Sequence, residues 1–99
     1  MQIKIATSGF RAVNLAGNEA NNLRSALEEV LRTPASQPAR IRMAPDLTFA
    51  IQLGDGEHVF ELLAGGTVLR DPVTRRVWQF KAGRAILQSL LPYRKLPAA

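Results

Sequence analysis

Residues 47–53, LTFAIQL, alternate strictly between apolar and other side chains, and a similar run, EHVFELL, follows after Asp55-Gly56. This pattern constrains the fold more than any other feature of the chain. Successive side chains of a strand point to opposite faces, so Leu47, Phe49, Ile51 and Leu53 share one face. Asp-Gly is a strong signal for a two-residue hairpin turn, because a type I′ turn needs positive φ at both central positions. Placing the turn on Asp55-Gly56 sets Gly54 opposite Glu57, Leu53 opposite His58, Ile51 opposite Phe60 and Phe49 opposite Leu62. The apolar sets then meet on one face, as a one-sided core requires.

Two further turns extend this hairpin. Gly65-Gly66 sets Leu63 against Val68, Leu62 against Leu69 and Glu61 against Arg70, an acid facing a base. In RDPVTRR, Asp71 and Pro72 suit the first two positions of a type I turn. The loop is similar to the common hairpin connection Asp-Pro-x-Thr-Gly, with Arg75 where glycine usually stands. If Asp71 pairs with Arg76, Leu69 faces Trp78 and Arg70 faces Val77.

The rest of the chain supplies further strands and two helices. QIKIA at 2–6 alternates as a half-buried strand, TSG turns, and FRAVNLA returns as a second strand. Asn18 is a suitable N-cap, with Glu19 in the first turn. Ala20, Leu23, Leu27, Val30 and Leu31 then recur at helical spacing, predicting an amphipathic helix over 18–33. TPASQP ends it, because a proline disfavours helix in the residue before it. Strands are expected throughout 39–80, beginning with RIRMA. A last helix is expected over 81–91, stopped by Pro92, with 92–99 as a loose tail. Gly83 costs about 1 kcal/mol relative to alanine inside a helix and suits a close approach to a strand.

An antiparallel meander of about five strands with one apolar face must be covered, and two amphipathic helices are available to cover it. The expected architecture is a single α+β domain over 1–99. It has two layers, with both helices on one face of the sheet and the other face partly exposed.

Composition narrows the function classes. The chain has 99 residues, 46% of them hydrophobic, and no cysteine, which removes disulfides, thiolate metal sites and a thiol nucleophile. The opening residues contain no signal-type apolar run, and no stretch reaches the length of a membrane span. The expectation is a cytoplasmic protein with no membrane association. The formal net charge is +5, but its distribution is uneven. Residues 1–66 carry six bases and seven acids, whereas 67–99 carry seven bases and Asp71 alone. The last third therefore creates a local positive field.

Chemistry has few candidates. His58 is the sole histidine and falls on the core face, where a structural role is expected. His58 and Glu61 lie an odd number apart in one strand and point to opposite faces, which breaks a small-nuclease constellation. Asp55 and Glu57 belong to the hairpin and have no metal-ligand spacing. AGG at 64–66 lacks the lysine and helix of a phosphate loop. No catalytic residue, metal or cofactor is assigned, and a small hydrolase or nuclease is only a minor alternative.

Two binding readings follow. The first is protein–protein interaction or self-association through the edge strands or the outer sheet face, where Val59, Leu63, Val68 and Val77 add apolar area, as does Ala50. The second is single-stranded nucleic-acid binding through Arg70, Arg75, Arg76, Lys81 and Arg84 in the basic third. A meander followed by a helix, with basic loops, resembles small single-stranded-DNA-binding folds in topology alone. Against that reading, Phe49, Phe60 and Trp78 fall on the core face, leaving Phe10 and Tyr93 as the aromatics to stack a base. A protein partner or a homodimer is therefore expected ahead of nucleic acid.

Overall fold

The alternating runs do form strands, and their one-sided apolar pattern sets the layers. The computed structural model describes residues 2–6, 9–15, 17–35, 43–54 and 56–94, with the backbone alone for residues 2, 10 and 94. The strands are β1 (Gln2–Ala6), β2 (Phe10–Asn14), β3 (Leu47–Leu53), β4 (Gly56–Leu63), β5 (Val68–Arg70) and β6 (Val77–Gln79). The helices are α1 (Gly17–Arg32) and α2 (Gly83–Arg94). Together they make one α+β domain of two layers.

Among the described residues the sheet has six strands, not five, in the order β2-β1-β3-β4-β5-β6, and every neighbouring pair is antiparallel. It is not one continuous meander. α1 separates β2 from β3, and β3 pairs with β1. The sequence accounts for this choice. β1 buries Ile3 and Ile5 almost completely and suits a central position, whereas β2 carries Arg11, exposed Ala12 and exposed Asn14 and suits an edge. The expected RIRMA strand does not extend to Met43, which lies outside any strand. Residues 39–42 lie outside the described ones.

The register of the β3–β4 hairpin differs from expectation by two residues. Leu53 faces Gly56, Ile51 faces His58, Phe49 faces Phe60 and Leu47 faces Leu62, so Gly56 belongs to β4 and not to the turn, while Asp55 lies outside the described residues. A slip of two leaves every side chain on its original face, so the apolar pattern tolerates both registers. The observed register sets the Phe49 and Phe60 rings 6.0 Å apart in a tilted pair, a favourable aromatic geometry. The other two turns match expectation residue for residue. Glu61 faces Arg70 and Leu63 faces Val68, and Leu69 faces Trp78 and Arg70 faces Val77.

The inner face carries Ile3, Ile5, Val13, Phe49, Ile51, Phe60, Leu62, Leu69 and Trp78. α1 covers it with Ala20, Leu23, Leu27 and Val30, and α2 with Ile86, Leu87 and Leu90. α1 begins at Gly17, so Asn18 stands inside the first turn and is not the cap. At its other end, the Thr33 hydroxyl donates to the Val30 carbonyl at 2.6 Å and closes the helix ahead of Pro34. α2 starts two residues later than expected and continues through Pro92. Pro92 sits in the final turn, where the missing N–H forfeits a single helical hydrogen bond.

α2 is seated by two glycines. A Cβ on Gly83 would lie 1.7 Å from the Gly66 carbonyl oxygen, and one on Gly66 would lie 2.4 Å from the Gly83 carbonyl oxygen. The close approach is therefore to the β4–β5 loop, not to a strand. In that loop Ala64, Gly65 and Gly66 all have positive φ, at 52°, 70° and 92°. Asp46 holds the loop by accepting the Gly65 N–H at 2.8 Å. Because Gly83 stands at the first residue of α2, the interior penalty for glycine does not govern it.

Helix propensity alone predicts that Gly83→Ala stabilises the protein. The packing predicts the opposite, because the new methyl group meets backbone that has no flexible end to move. The expected cost is about 1–3 kcal/mol, typical of overpacking, read as a lower denaturant midpoint with an unchanged slope. An unchanged or higher midpoint would show that the two backbones do not meet this closely.

Candidate functional site

The outer face of the sheet is built from cross-strand rows. One row runs Ala12, Lys4, Ala50, Val59, and another runs Thr48, Glu61, Arg70, Val77. Its charges are paired. Lys4 Nζ lies 3.0 Å from Glu57, both about half exposed. Arg70 Nε donates to Glu61 Oε1 at 2.8 Å, with both side chains less than one-fifth exposed. Arg70 Nη2 also reaches the Met43 carbonyl at 3.5 Å, so the chain entering β3 lies against this side of the sheet.

The four candidate apolar contacts of this face separate by burial. Val59 and Val68 are half-buried. Leu63 and Val77 are buried, as is Ala50, and all three lie outside the contiguous core. Leu63 and Val77 are thus already covered within the chain, and the surface they were expected to offer reduces to Val59 and Val68.

The five basic candidates do not converge. Arg70 is engaged by Glu61. Arg75 and Arg76 stand exposed at the β5–β6 tip, and Lys81 and Arg84 stand exposed at the opposite end of β6 and the start of α2. The three residues of β6 separate the two pairs by about 10 Å of strand. Lys81 also lines, with Glu29, an open groove of about 310 Å³ between α1 and the β6–α2 turn. Consecutive bases in the sequence thus become two small clusters in space.

The tip is held by its own hydrogen bonds. Asp71 N–H donates to the Arg76 carbonyl at 2.9 Å, and Arg75 N–H donates to the Asp71 carbonyl at 2.7 Å. Asp71 Oδ1 accepts the N–H groups of Val73 at 2.8 Å and Thr74 at 3.2 Å. Arg76 N–H reaches Thr74 Oγ1 at 3.3 Å. Arg75 has φ 61°, the left-handed conformation that its place in the loop motif predicts for glycine. Sequence reasoning passed over one residue here. Val73 is 84% exposed and Met43 48%, the two large hydrophobic side chains exposed among the described residues. The turn assignment, which puts Val73 two residues after Asp71, was the signal that could have found it.

The aromatic side chains offer little to stack a base. Phe49, Phe60, Trp78 and Phe80 are buried. Trp78 Nε1 donates to the Thr33 carbonyl at 3.3 Å. Tyr93 is half-buried, with its hydroxyl 3.4 Å from Glu19 Oε2. The side chain of Phe10 lies outside the described residues. His58 lies half-buried on the inner face, its ring stacked on Phe60 at 5.9 Å and 8°. Among the described residues, no group of three or more His, Cys, Asp or Glu side chains could hold a metal ion. No described helix is long and apolar enough to cross a membrane.

No family model matches the chain, and neither a curated protein nor a solved structure matches it.

Trp78→Ala should lower stability by about 3–5 kcal/mol, the loss typical of a buried aromatic. A change below about 1 kcal/mol in equilibrium unfolding would mean that the indole is exposed. Arg75→Gly should instead raise stability by a few tenths to about 1 kcal/mol. It removes the left-handed penalty of a Cβ, partly offset by the greater freedom of glycine in the unfolded chain. A lower melting temperature would contradict the left-handed assignment.

Proposed function

We propose that this chain is a non-enzymatic protein-interaction domain that pairs through its edge strand β2, with a second copy as the simplest partner. One observation carries this reading. Among the described residues β2 stands at the end of the sheet order, its five residues paired with β1, and Ala12, in its middle, is exposed. Such an edge presents unpaired N–H and C=O groups to another strand. Natural edges are commonly blunted by being short or by carrying proline or several charges. β2 has no proline, and Arg11 is its sole charge. β6, the opposite edge, has three residues and fits the blunted type.

Antiparallel pairing of two β2 strands is self-complementary, as a two-fold interface requires. It would join two six-stranded sheets into one and leave both helical layers on their own sheet faces. Val59 lies in the same cross-strand row as Ala12 and adds apolar area to the outer face.

Wild-type protein should therefore sediment with twice the 10.9 kDa mass of the chain. Ala12→Lys, a change at an exposed position, should return it to a monomer. Its unfolding free energy should stay within about 0.5 kcal/mol of wild type. A wild-type monomer at every concentration tested would remove the self-association reading.

A further inference from the structure

The β5–β6 tip combines three features that the fold does not require together. It is closed by five hydrogen bonds running from Asp71 to Arg76. It holds an arginine, not a glycine, in a left-handed conformation. It also displays Val73, the most exposed of the large hydrophobic side chains described, beside exposed Pro72. Residues in sparsely populated backbone conformations tend to persist where function retains them. The tip's one acid, Asp71, turns its Oδ1 inward to the Val73 and Thr74 N–H groups. The outward chemistry is then apolar at the apex and cationic beside it. Met43, the other exposed large hydrophobic, has its carbonyl 3.5 Å from Nη2 of Arg70, the last residue of β5 before the tip.

We propose that this tip is a docking point for a protein surface on which carboxylates border an apolar recess. Val73 would enter the recess, and Arg75 and Arg76 would pair with the carboxylates. The planar fork of a guanidinium matches a carboxylate in bidentate fashion, and arginine is enriched among the residues that dominate interfaces. Charge complementarity selects an anionic partner, and the number of charges selects a protein. Two guanidiniums neutralise about two phosphates, a small share of what binding to a nucleic-acid backbone draws on. One valine and two cations are likewise few for a membrane surface, where stable anchoring takes stronger signals. The inference stands apart from the β2 reading, since the tip belongs to the opposite edge of the sheet.

The test selects displayed random peptides on the wild-type chain and measures the enriched sequences by fluorescence anisotropy. The expected winners carry Asp or Glu beside a large apolar residue. Their affinity should fall at least about tenfold for Val73→Ser and for Arg75→Gly, as for a residue at the centre of an interface. It should stay unchanged for Lys81→Ala and for Ala12→Lys, which keeps this result separate from that of the β2 edge. Arg75→Gly is informative because the variant should melt no earlier than wild type, so lost binding cannot come from lost folding. Enriched peptides without acids, no enriched peptide, or binding indifferent to Val73 and Arg75 would each overturn the proposal. So would tip-dependent binding of duplex DNA, or of vesicles containing phosphatidylserine, where the peptides show none.

Discussion

The contact between Gly66 and Gly83 decides how the second layer closes. Two backbones meet there without a side chain between them, which is possible because neither residue has a Cβ. Each end of the contact is anchored. The β4–β5 loop reaches it through three consecutive positive φ values, and Asp46 from the start of β3 holds that loop at Gly65. On the other side, Phe80 N–H donates to the Thr67 carbonyl and Gly83 N–H to the Phe80 carbonyl, so β6 runs directly into α2. The contact fixes where α2 starts, and the packing of its apolar side chains sets its direction from there. Ile86, Leu87 and Leu90 fall on the apolar face of the sheet. The loop, the helix start and the core thus form one cooperative unit, and a methyl group at either glycine disturbs all three.

Side-chain chemistry in the turns specified which residues pair, whereas periodicity specified the strands, their faces and α1 but not the register. The Asp-Pro-x-Thr loop fixed its own pairs, so Leu69 opposite Trp78 and the left-handed Arg75 were both legible. The β3–β4 pairing was not, because alternation has a period of two and a slip of two is invisible to it. Packing between Phe49 and Phe60 and the conformation at Gly56, with φ 138°, distinguish registers that the apolar pattern leaves equal. The position of β1 between β2 and β3 depends on which hairpin strand is more apolar, a difference that alternation within each strand does not express. Pro92 marks a limit of local rules, since a proline in a last turn forfeits too little to stop the helix earlier.

The candidate surfaces were legible to a similar degree. The Glu61–Arg70 pair followed from register, and it holds the Arg70 Nε against a carboxylate. The separation of Arg75 and Arg76 from Lys81 and Arg84 also followed from the strand between them, though their closeness in sequence concealed it. The burial of Leu63 and Val77 did not follow. Alternation assigns a residue to a face but carries no information about what crosses that face. The exposure of Val73 was missed, although a residue in the middle of a tight hairpin loop is poorly placed for burial.

The two edges of this sheet differ in kind, and the difference bears on how such a domain can act. Among the described strands β2 is the longer of the two edges, and recognition through the backbone of such an edge depends little on sequence. The β5–β6 side ends in a short strand and presents side chains held by a closed turn, which favours discrimination between partners. Five inter-strand spacings of about 4.8 Å place these edges roughly 24 Å apart, too far for one small ligand to span both. Occupation of one edge leaves the other accessible. A copy joined at β2 would therefore present two tips, one at each end of the combined sheet. A partner carrying two acidic sites at matching spacing would bind such a dimer more tightly than either site alone, because its second attachment becomes intramolecular.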